Sequence, residues 1–419
     1  MRGLQFERNL PRFAAARLTS VLGGSGRGAA VSPLRLGELD APELPGPDWV
    51  RVKPLLAGIC GSDLSTVDGR SSRYFEDVVS FPFVPGHEVV GTVEEPGAPG
   101  APEPGARVVI EAVLGCVPRG IDPPCPACAA GDVGGCERVA FGGLSPGLQI
   151  GFCADTGGGW SAAGLVAHVS QLHAVPDALS DEDAVMVEPT ACAVHAALAA
   201  RVEPGATVAV VGAGTLGLTF VAALRHLSRP GTVLVGAKHA HQRKLAEEMG
   251  ADVVVDPGQL HRAVRLRSRS LETSGHLTGG ADVVVDCVGS AESIAQSLAM
   301  VRRRGRLVLV GMPGSVRLDL ASLWHREVEL CGAYAYGTEM TESGPRRSFD
   351  LAMEVVAAYR LGRLVSAAYP VDRFEEALAH AGAAGRRGAV KVVFDLRDRR
   401  RARAGDGAGR SDKEERSGT

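Results

Sequence analysis

Cys60 and His87 are the residues whose types and surroundings first indicate chemistry in this sequence. Cys60 lies within residues 58–63 (GICGSD), and His87 lies within residues 86–88 (GHE), a turn that runs into an apolar segment. A thiolate, an imidazole and nearby carboxylates are the donors from which an open, catalytic zinc site is built. The sequence therefore predicts a metal centre that still needs a third ligand.

A glycine-rich turn indicates that a dinucleotide binds in the second half of the chain. Residues 212–217 read G-x-G-x-x-G between a predicted strand and a predicted helix. Gly212 allows the tight turn, Gly214 lets the backbone approach a pyrophosphate, and Gly217 lets the helix pack closely on the strand. With Leu216, these are the predicted cofactor-binding positions. The alternative is a glycine-tolerant turn that binds no ligand.

The residues after the second predicted strand indicate which dinucleotide binds. An NAD site places Asp or Glu at this point, on the ribose hydroxyls, but this strand ends at Val235 and is followed by Gly-Ala-Lys-His. An acid would repel a 2′-phosphate, whereas Lys238 and Arg243 can pair with one. We therefore expect NADP(H) rather than NAD(H), unless both bases are ordinary solvent-exposed charges at a helix start.

Four of the nine cysteines fall within residues 116–136, which indicates a second metal site. Cys125, Cys128 and Cys136 follow a C-x2-C-x7-C spacing, and Cys116 precedes them. Four thiolates close a tetrahedral, structural zinc site without an open position, and such a site orders a loop that has little core. Disulfides are the alternative, which is disfavoured in a chain that shows no export signal.

The third ligand of the first metal site has several candidates. Glu188 stands at the start of a predicted helix just before the glycine turn, where a nicotinamide would meet the metal. Cys192 and His195 lie further along this Ala/Val-rich helix and are better explained as packed core residues. Glu88 points away from His87 if the segment is extended. Glu188 is therefore the favoured third ligand. Glu88 is expected to lie next to the ligands without binding the metal itself.

Two patterns of secondary structure must position these residues, which gives an α/β fold class. Residues 1–110 contain short alternating strands, Pro/Gly turns and no long helical periodicity, which predicts an all-β, barrel-like first segment. From residue 207 apolar strands alternate with amphipathic helices, which is typical of a doubly wound parallel sheet with crossover helices.

Length and composition limit the possible classes of protein. A chain of 419 residues is too long for one ordinary core, and its net charge of −3 implies no nucleic-acid or membrane partner. The N-terminus lacks an apolar signal core, and the uncharged stretch 206–224 is split by glycines, so we expect a cytoplasmic protein. Residues 396–419 lack periodicity and predict a disordered tail.

The motifs resemble those of the zinc-containing medium-chain dehydrogenase/reductase superfamily, the alcohol, sorbitol and threonine dehydrogenase type. The resemblance extends over about residues 1–395 and rests on the segments around Cys60 and His87, the cysteine lobe, Glu188-Pro189 and the glycine turn. It implies a homodimer or homotetramer. It also implies a GroES-like β-barrel catalytic domain at 1–187 with a structural zinc lobe at about 113–140, a Rossmann domain at 188–331, and a return to the catalytic domain at 332–395.

The resemblance implies a role for each residue of the first metal site. Cys60 and His87 match catalytic zinc ligands, and Glu188 matches the third, which is acidic in the polyol and threonine branches. Further matches are Asp63, the acid that orients the ligand histidine; Ser62, the hydroxyl that passes the alcohol proton on; and Glu88, an acid that can approach the zinc during ligand exchange.

Two positions depart from the family pattern. Eight residues separate Cys116 from Cys125, where two are commonest, so Cys116 is the weakest candidate for a structural ligand. Ser65 stands where the proton relay usually ends in histidine. The acidic third ligand and the polar Ser65 favour a polyol, a sugar-derived alcohol or an amino alcohol as substrate.

Together these features predict a zinc-dependent enzyme that transfers hydride between a small-molecule secondary alcohol or polyol and NADP(H), with two zinc ions per subunit. One alternative is a zinc-independent quinone or enoyl reductase of the same superfamily, but that branch lacks the ligands that Cys60 and His87 supply. Another is a non-enzymatic NADP(H)-binding redox sensor, which an intact ligand set disfavours.

Overall fold

The computed structural model describes residues 1–95 and 100–397, which form two large sheets surrounded by helices. The strands are β1 (Arg2–Phe6), β2 (Leu34–Glu38), β3 (Trp49–Gly58), β4 (Val89–Glu95), β5 (Arg107–Ile110), β6 (Leu165–His168), β7 (Leu172–Ala174), β8 (Thr207–Val211), β9 (Thr232–Gly236), β10 (Val253–Val255), β11 (Glu272–Thr273), β12 (His276–Leu277), β13 (Ala281–Asp286), β14 (Val301–Leu309), β15 (Glu329–Gly332), β16 (Thr338–Thr341), β17 (Gly344–Arg347), β18 (Val365–Tyr369) and β19 (Lys391–Asp395). The α-helices are α1 (Leu10–Gly23), α2 (Gly61–Val67), α3 (Pro126–Ala129), α4 (Asp181–Ala184), α5 (Val187–Ala199), α6 (Thr215–Leu227), α7 (Ala240–Glu248), α8 (Pro257–Ser268), α9 (Ala291–Met300), α10 (Ala321–His325), α11 (Ser348–Tyr359) and α12 (Phe374–Gly382).

The first large sheet has seven strands in the order β18-β19-β3-β4-β5-β7, with β6 paired to β3. Strand β3 buries Val50, Val52 and Leu56 on one face while Arg51 and Lys53 are half-buried, as the alternation of side chains along a strand requires. Strand β19, from the end of the chain, pairs with β3. The C-terminal part of the chain therefore completes the sheet that its N-terminal part begins.

The second large sheet has six parallel strands in the order β10-β9-β8-β13-β14-β15. Its first strand in sequence, β8, lies at the centre, and the strand order reverses there, which is the doubly wound arrangement of dinucleotide-binding folds. The predicted parallel sheet is confirmed. A ligand of such a sheet binds beyond the carboxyl ends of the central strands, which places the glycine turn after β8 at the expected point.

Helix α1 contradicts the expectation that residues 1–110 contain no helix. Asn9 caps it by accepting a hydrogen bond from Arg12 N at 3.1 Å, and a proline lies in its first turn. Its buried face is made of the small residues Ala16 and Ser20, whereas large apolar residues such as Leu22 are exposed. The apolar periodicity therefore does not reveal which face is buried, and the helix is missed.

No described helix is both long enough and apolar enough to cross a membrane. The uncharged stretch 206–224 divides instead between β8, the glycine turn and the first part of α6. The predicted disordered tail, residues 396–419, lies outside the described residues except for its first two.

Candidate active site

Cys60 and His87 are brought together by the antiparallel pairing of β3 and β4. Cys60 lies just beyond the end of β3 and His87 just before the start of β4, and the two strands pair there through Ala57 and Val89. The possible ligand atoms of Cys60, His87 and Glu88 all lie within 4.8 Å of one another. The structure thus assembles the thiol, the imidazole and one carboxylate at a single point.

Asp63 holds both halves of this cluster in place. It lies in the first turn of α2, is 1% exposed, and its Oδ2 accepts a hydrogen bond from Cys60 N at 2.9 Å. Its Oδ1 lies 3.5 Å from Nδ1 of His87. Burial lowers the pKa of His87, but Asp63 and Cys60 outweigh burial and raise this pKa well above its usual value. The carboxylate therefore orients the imidazole and leaves Nε2 for a metal.

The position of Glu88 differs from the expectation that it points away from His87. Alternation applies within a strand, but β4 begins only at Val89, and Glu88 lies in a bend before it. Its buried carboxylate therefore lies with Cys60 and His87, and it forms an ion pair with Lys391. The structure places Glu88 inside the cluster rather than behind it.

Lys391 is a residue of this site that sequence reasoning missed. It is the first residue of β19, it is 2% exposed, and its Nζ also donates to Ile59 O at 3.3 Å. Burial lowers the pKa of Lys391, but the negative charges of Glu88 and Cys60 together outweigh burial, so the net pKa is raised. The available signal was a single charge inside the apolar run 389–394, because a buried lysine needs a buried partner.

Removing the lysine charge should destabilise the fold strongly. We expect Lys391→Met to lower the free energy of unfolding by about 3–5 kcal/mol, because Glu88 would remain as a buried charge without its partner. The double variant Lys391→Met, Glu88→Gln should recover much of this loss. Urea unfolding of both variants checks the prediction, and equal destabilisation by the single and the double change would contradict it.

Glu188 lines the same cavity from the first turn of α5, but it is not part of the group of ligand atoms that lie within 4.8 Å of one another. It is 6% exposed, and burial raises the pKa of its carboxyl to about 7 despite the opposing effect of His87. Cys192 Sγ donates to Glu188 Oε1 at 3.8 Å, and His195 Nδ1 lies 2.8 Å from Glu339 Oε1. Cys192 and His195 thus have protein partners, as expected of packed helix residues.

The donor set fits a bound zinc ion. Asp63, Glu88 and Glu188 are three buried carboxylates, and in the described part of the chain Lys391 is the one ammonium group paired with them. Buried negative charge of this density needs a further cation nearby. A thiolate, an imidazole and a carboxylate are zinc ligands, and they leave a fourth position open.

The four cysteines of the second site also converge. The possible ligand atoms of Cys116, Cys125, Cys128 and Cys136 lie within 4.8 Å of one another, and Cys116 Sγ is 3.8 Å from Cys136 Sγ. The wide gap after Cys116 does not keep it out of the cluster. None of these described cysteines forms a disulfide.

Electrostatics in this lobe also favour a bound cation. Burial raises the pKa of the Cys125 thiol, but hydrogen bonds lower this pKa by a larger amount, so that its net value is about 6. The pKa of Cys136 is raised, and burial is the largest cause. Four clustered thiolates repel one another unless a cation lies between them. The small cluster of buried side chains in this lobe consists of cysteines, so the lobe has little other core.

Arg119 is a second residue that the sequence did not reveal. It is 1% exposed and donates to backbone carbonyls on both sides of the lobe, to Leu114 O at 3.0 Å and to Gly147 O at 2.7 Å. Its guanidinium therefore closes the base of the cysteine lobe through the backbone, and it has no acidic ion-pair partner among the described residues.

The glycine turn has the strand–turn–helix setting that was predicted. Gly212 has φ of 97°, and a Cβ on Gly217 would lie 2.0 Å from Gly212 O, so a larger residue cannot replace Gly217. A Cβ on Gly214 would meet no atom within 4 Å, which leaves open space for a phosphate beside the N-terminus of α6. These glycines fit a bound dinucleotide.

A cavity of about 390 Å³ adjoins this turn where the second strand ends. Lys238, His239 and Arg386 line it, together with Gly214 and Thr215. Burial lowers the pKa of His239, and the positive charges of Lys238 and Arg386 lower it further. The expected base Arg243 instead donates through Nη1 to Ala237 O and Lys238 O, both at 3.1 Å. Arg386, from the C-terminal part of the chain, was missed.

One larger cavity, of about 990 Å³, joins the two halves of the site. The metal-binding cluster opens into it, as do Ser62, Ser65 and Glu188, and so do Thr215 and Leu216 at the start of α6. A ligand on the metal and a nicotinamide on the glycine turn would therefore share one cavity. Such a space is what direct hydride transfer requires.

Comparison with protein families now identifies the fold. Residues 46–177 match the alcohol dehydrogenase GroES-like domain, and residues 215–350 match the zinc-binding dehydrogenase domain. A sorbitol dehydrogenase of Ovis aries is 30% identical over 331 residues, which cover 77% of this chain and 83% of that protein. The chain belongs to the zinc-type medium-chain dehydrogenase/reductase family. It is an oxidoreductase of the alcohol dehydrogenase type, with a GroES-like and a Rossmann part.

Two further relatives of this dehydrogenase are similar over most of its length. A sorbitol dehydrogenase of Bacillus subtilis is 27% identical over 83% of this chain and 90% of its own. The crystal structure of a zinc-binding dehydrogenase from Sinorhizobium meliloti, solved with NADP bound, superposes with a TM-score of 0.67 at 27% identity. That alignment covers 86% of this chain and 95% of the other.

Proposed function

We propose that this dehydrogenase oxidises a secondary alcohol or polyol with NADP⁺, or reduces the matching carbonyl with NADPH, and uses one catalytic and one structural zinc ion. The observation that carries the proposal is the shared cavity, which holds Cys60, His87 and the start of α6. The sorbitol dehydrogenases among the relatives and the NADP-bound structure support the substrate class and the cofactor.

We assign the catalytic zinc ligands to Cys60, His87 and Glu188. Glu88 already has a cation, Lys391, whereas Glu188 has no ion-pair partner within residues 1–95 and 100–397. The buried Glu188 carboxylate, whose pKa burial raises to about 7, therefore gains most from a bound metal. Glu88 remains a neighbour held by Lys391.

The residues around the ligands hold the substrate and move its proton. A zinc ion bound here would supply a Lewis acid that lowers the pKa of the alcohol. Ser62 opens into the cavity next to Cys60 and receives the hydroxyl proton, while Asp63 keeps His87 oriented. A nicotinamide bound at the glycine turn would supply the hydride acceptor, so that loss of hydride from the carbinol carbon would leave the carbonyl product. Ser65, which has no imidazole, passes the proton on to solvent.

We propose that Cys116, Cys125, Cys128 and Cys136 bind the structural zinc. We also propose a catalytic part at 1–187 and 332–395 and a cofactor part at 188–331, as the sequence predicts. A homo-oligomer is supported by two exposed apolar side chains, one in β15 and one in α10. The edge strand β15 carries the half-exposed Leu330, and the nearby Trp324 is 80% exposed.

The choice of NADP is tested through Lys238. Lys238→Ala should lower the NADP/NAD ratio of kcat/KM by about 10-fold to 100-fold, because a charge-assisted hydrogen bond to the 2′-phosphate is worth about 1.5–3 kcal/mol. Lys244→Ala is the matched control, since Lys244 is an exposed lysine of α7 next to Glu248. An unchanged ratio in Lys238→Ala, or an equal fall in both variants, would contradict this assignment.

The activity itself is tested with the zinc-loaded chain, NADP⁺ and a panel of secondary alcohols and polyols, following absorbance of NADPH. The proposal predicts reduction of NADP⁺ that depends on the alcohol and is lost when zinc is removed. The absence of turnover with every alcohol and every matching ketone would refute it.

A further inference from the structure

The wall of the large cavity opposite the cofactor is unusually rich in phenylalanine. Aromatic residues make up 5% of the chain, yet six of its eleven phenylalanines line this one cavity. They are Phe6, Phe13, Phe75, Phe81, Phe83 and Phe152. Large apolar surface gathered in a cleft marks a place where apolar ligand surface is buried.

Four of these rings, those of Phe152, Phe83, Phe6 and Phe81, form a continuous path that begins at His87. The ring of His87 lies 5.9 Å from that of Phe152, and Phe152 lies 5.3 Å from Phe83, measured between centroids. Phe83 contacts Phe6 at 5.3 Å and Phe81 at 5.4 Å. Phe81 remains 37% exposed. A substituent on the carbinol carbon would therefore meet aromatic surface rather than hydrogen-bond partners.

Helix α1 closes the outer end of this path and is fixed in position. Leu10 and Phe13 line the cavity, and Leu10 is 70% exposed. The buried carboxylate of Asp68 holds the loop after α1, because its Oδ2 accepts from Gly26 N and Ser25 Oγ, both at 2.9 Å. Asp68 lies directly after α2, the helix that carries Ser62. The loop after α1 is therefore tied to the end of the helix that carries Ser62.

Two polar side chains of the cavity wall, Thr66 and Glu76, already have protein partners. Thr66 Oγ1 lies 2.9 Å from Ser71 Oγ and donates to Ser62 O at 3.0 Å. Glu76 at the wall has Arg73 at 3.4 Å and Arg8 at 4.0 Å. A sugar polyol would need several free partners for its hydroxyls, since unpaired polar groups are costly to bury.

We propose that the preferred substrate is a secondary alcohol with a bulky apolar or aromatic substituent, which packs on Phe81, Phe152 and Leu10 of α1. The proposal rests on the alcohol dehydrogenase function proposed above and departs from the polyols of the named relatives. Residue 46 is where the family match begins, so α1 lies outside it.

The test measures kcat/KM of the zinc-loaded full-length chain with NADP⁺ and three alcohols: 2-propanol, 4-phenyl-2-butanol and sorbitol. We expect 4-phenyl-2-butanol to exceed 2-propanol by about 100-fold or more, because each apolar group buried in such a pocket changes kcat/KM by about 10-fold to 200-fold. Sorbitol should be poorer than 4-phenyl-2-butanol. Turnover of 2-propanol or sorbitol without this preference would overturn the inference and leave the proposed function intact, whereas no turnover at all would overturn both.

A matched pair of variants on one helix locates the effect. Leu10→Ala removes a side chain that lines the cavity, while Leu22→Ala removes one that is 80% exposed at the other end of α1. We expect Leu10→Ala to lower the 4-phenyl-2-butanol/2-propanol ratio of kcat/KM by about tenfold. Leu22→Ala should leave this ratio within about twofold. Equal ratios in the two variants would overturn the role of α1.

Discussion

Replacing His87 with alanine is expected to remove about one zinc ion per chain and to lower kcat by about 1000-fold or more. The imidazole supplies one of three proposed ligands, and Lewis-acid stabilisation by a metal is worth several kcal/mol, at 1.36 kcal/mol for each factor of ten. Asp63 would lose the partner that it orients, but the backbone pairing of β3 and β4 would remain. The loss should therefore appear in zinc content and activity, together with some loss of stability because Asp63 is left buried without its partner.

Glu88→Gln is the comparison that separates a ligand from its neighbour. Both residues belong to the cluster within 4.8 Å, yet Glu88 is paired with Lys391. We expect Glu88→Gln to keep both zinc ions and a larger share of the activity than His87→Ala. Zinc analysis with steady-state kinetics of the two variants checks this, and equal zinc loss in both would show that Glu88 is a permanent ligand.

Cys136→Ser is expected to empty the second metal site and to unfold the lobe at about residues 113–140. Structural zinc contributes about 10–16 kcal/mol in small zinc-binding peptides, and the core of this lobe consists largely of its own cysteines. The remaining thiols cannot replace that contribution. We therefore expect the loss of about one zinc ion per chain and rapid proteolysis within the lobe.

The matched control is Cys153→Ser, because Cys153 is fully buried but does not belong to the four-cysteine cluster. This variant makes the same Cys→Ser change at another buried thiol, and it should keep the full zinc content and an intact lobe. Limited proteolysis followed by mass spectrometry, with zinc analysis, distinguishes the two variants. Full zinc content in Cys136→Ser would contradict the assignment of the structural site.

The parts of the fold that the sequence predicted are those with strong local signals. The glycine turn lies between an apolar strand and an amphipathic helix, and this alternation with its glycine spacing predicts a parallel sheet that binds a dinucleotide. The cysteine spacing likewise indicated a lobe whose four thiols the structure brings together, Cys116 included. The turn of Gly86 and the segment of Cys60 also carry donor types that are visible in the chain, and the structure brings Cys60 and His87 together.

The parts that were missed depend on contacts between distant segments. Lys391 reaches Glu88 from the end of the chain, Arg386 joins Lys238 across the cofactor cavity, and α1 closes the cavity from its start. None of these pairings leaves a periodic signal. The position of Glu88 was wrong for a local reason. Side chains alternate only within a strand, and β4 begins one residue after Glu88.

The most direct test of the whole account is transfer of deuterium from a secondary alcohol labelled at the carbinol carbon to NADP⁺ by the zinc-loaded chain. Hydride passes directly between substrate and nicotinamide only if the metal cluster and the glycine turn serve one cavity. The account predicts one deuterium in each NADPH formed, measured by mass spectrometry, together with the unlabelled ketone. NADPH without deuterium would contradict it, because the hydride would then have come from elsewhere.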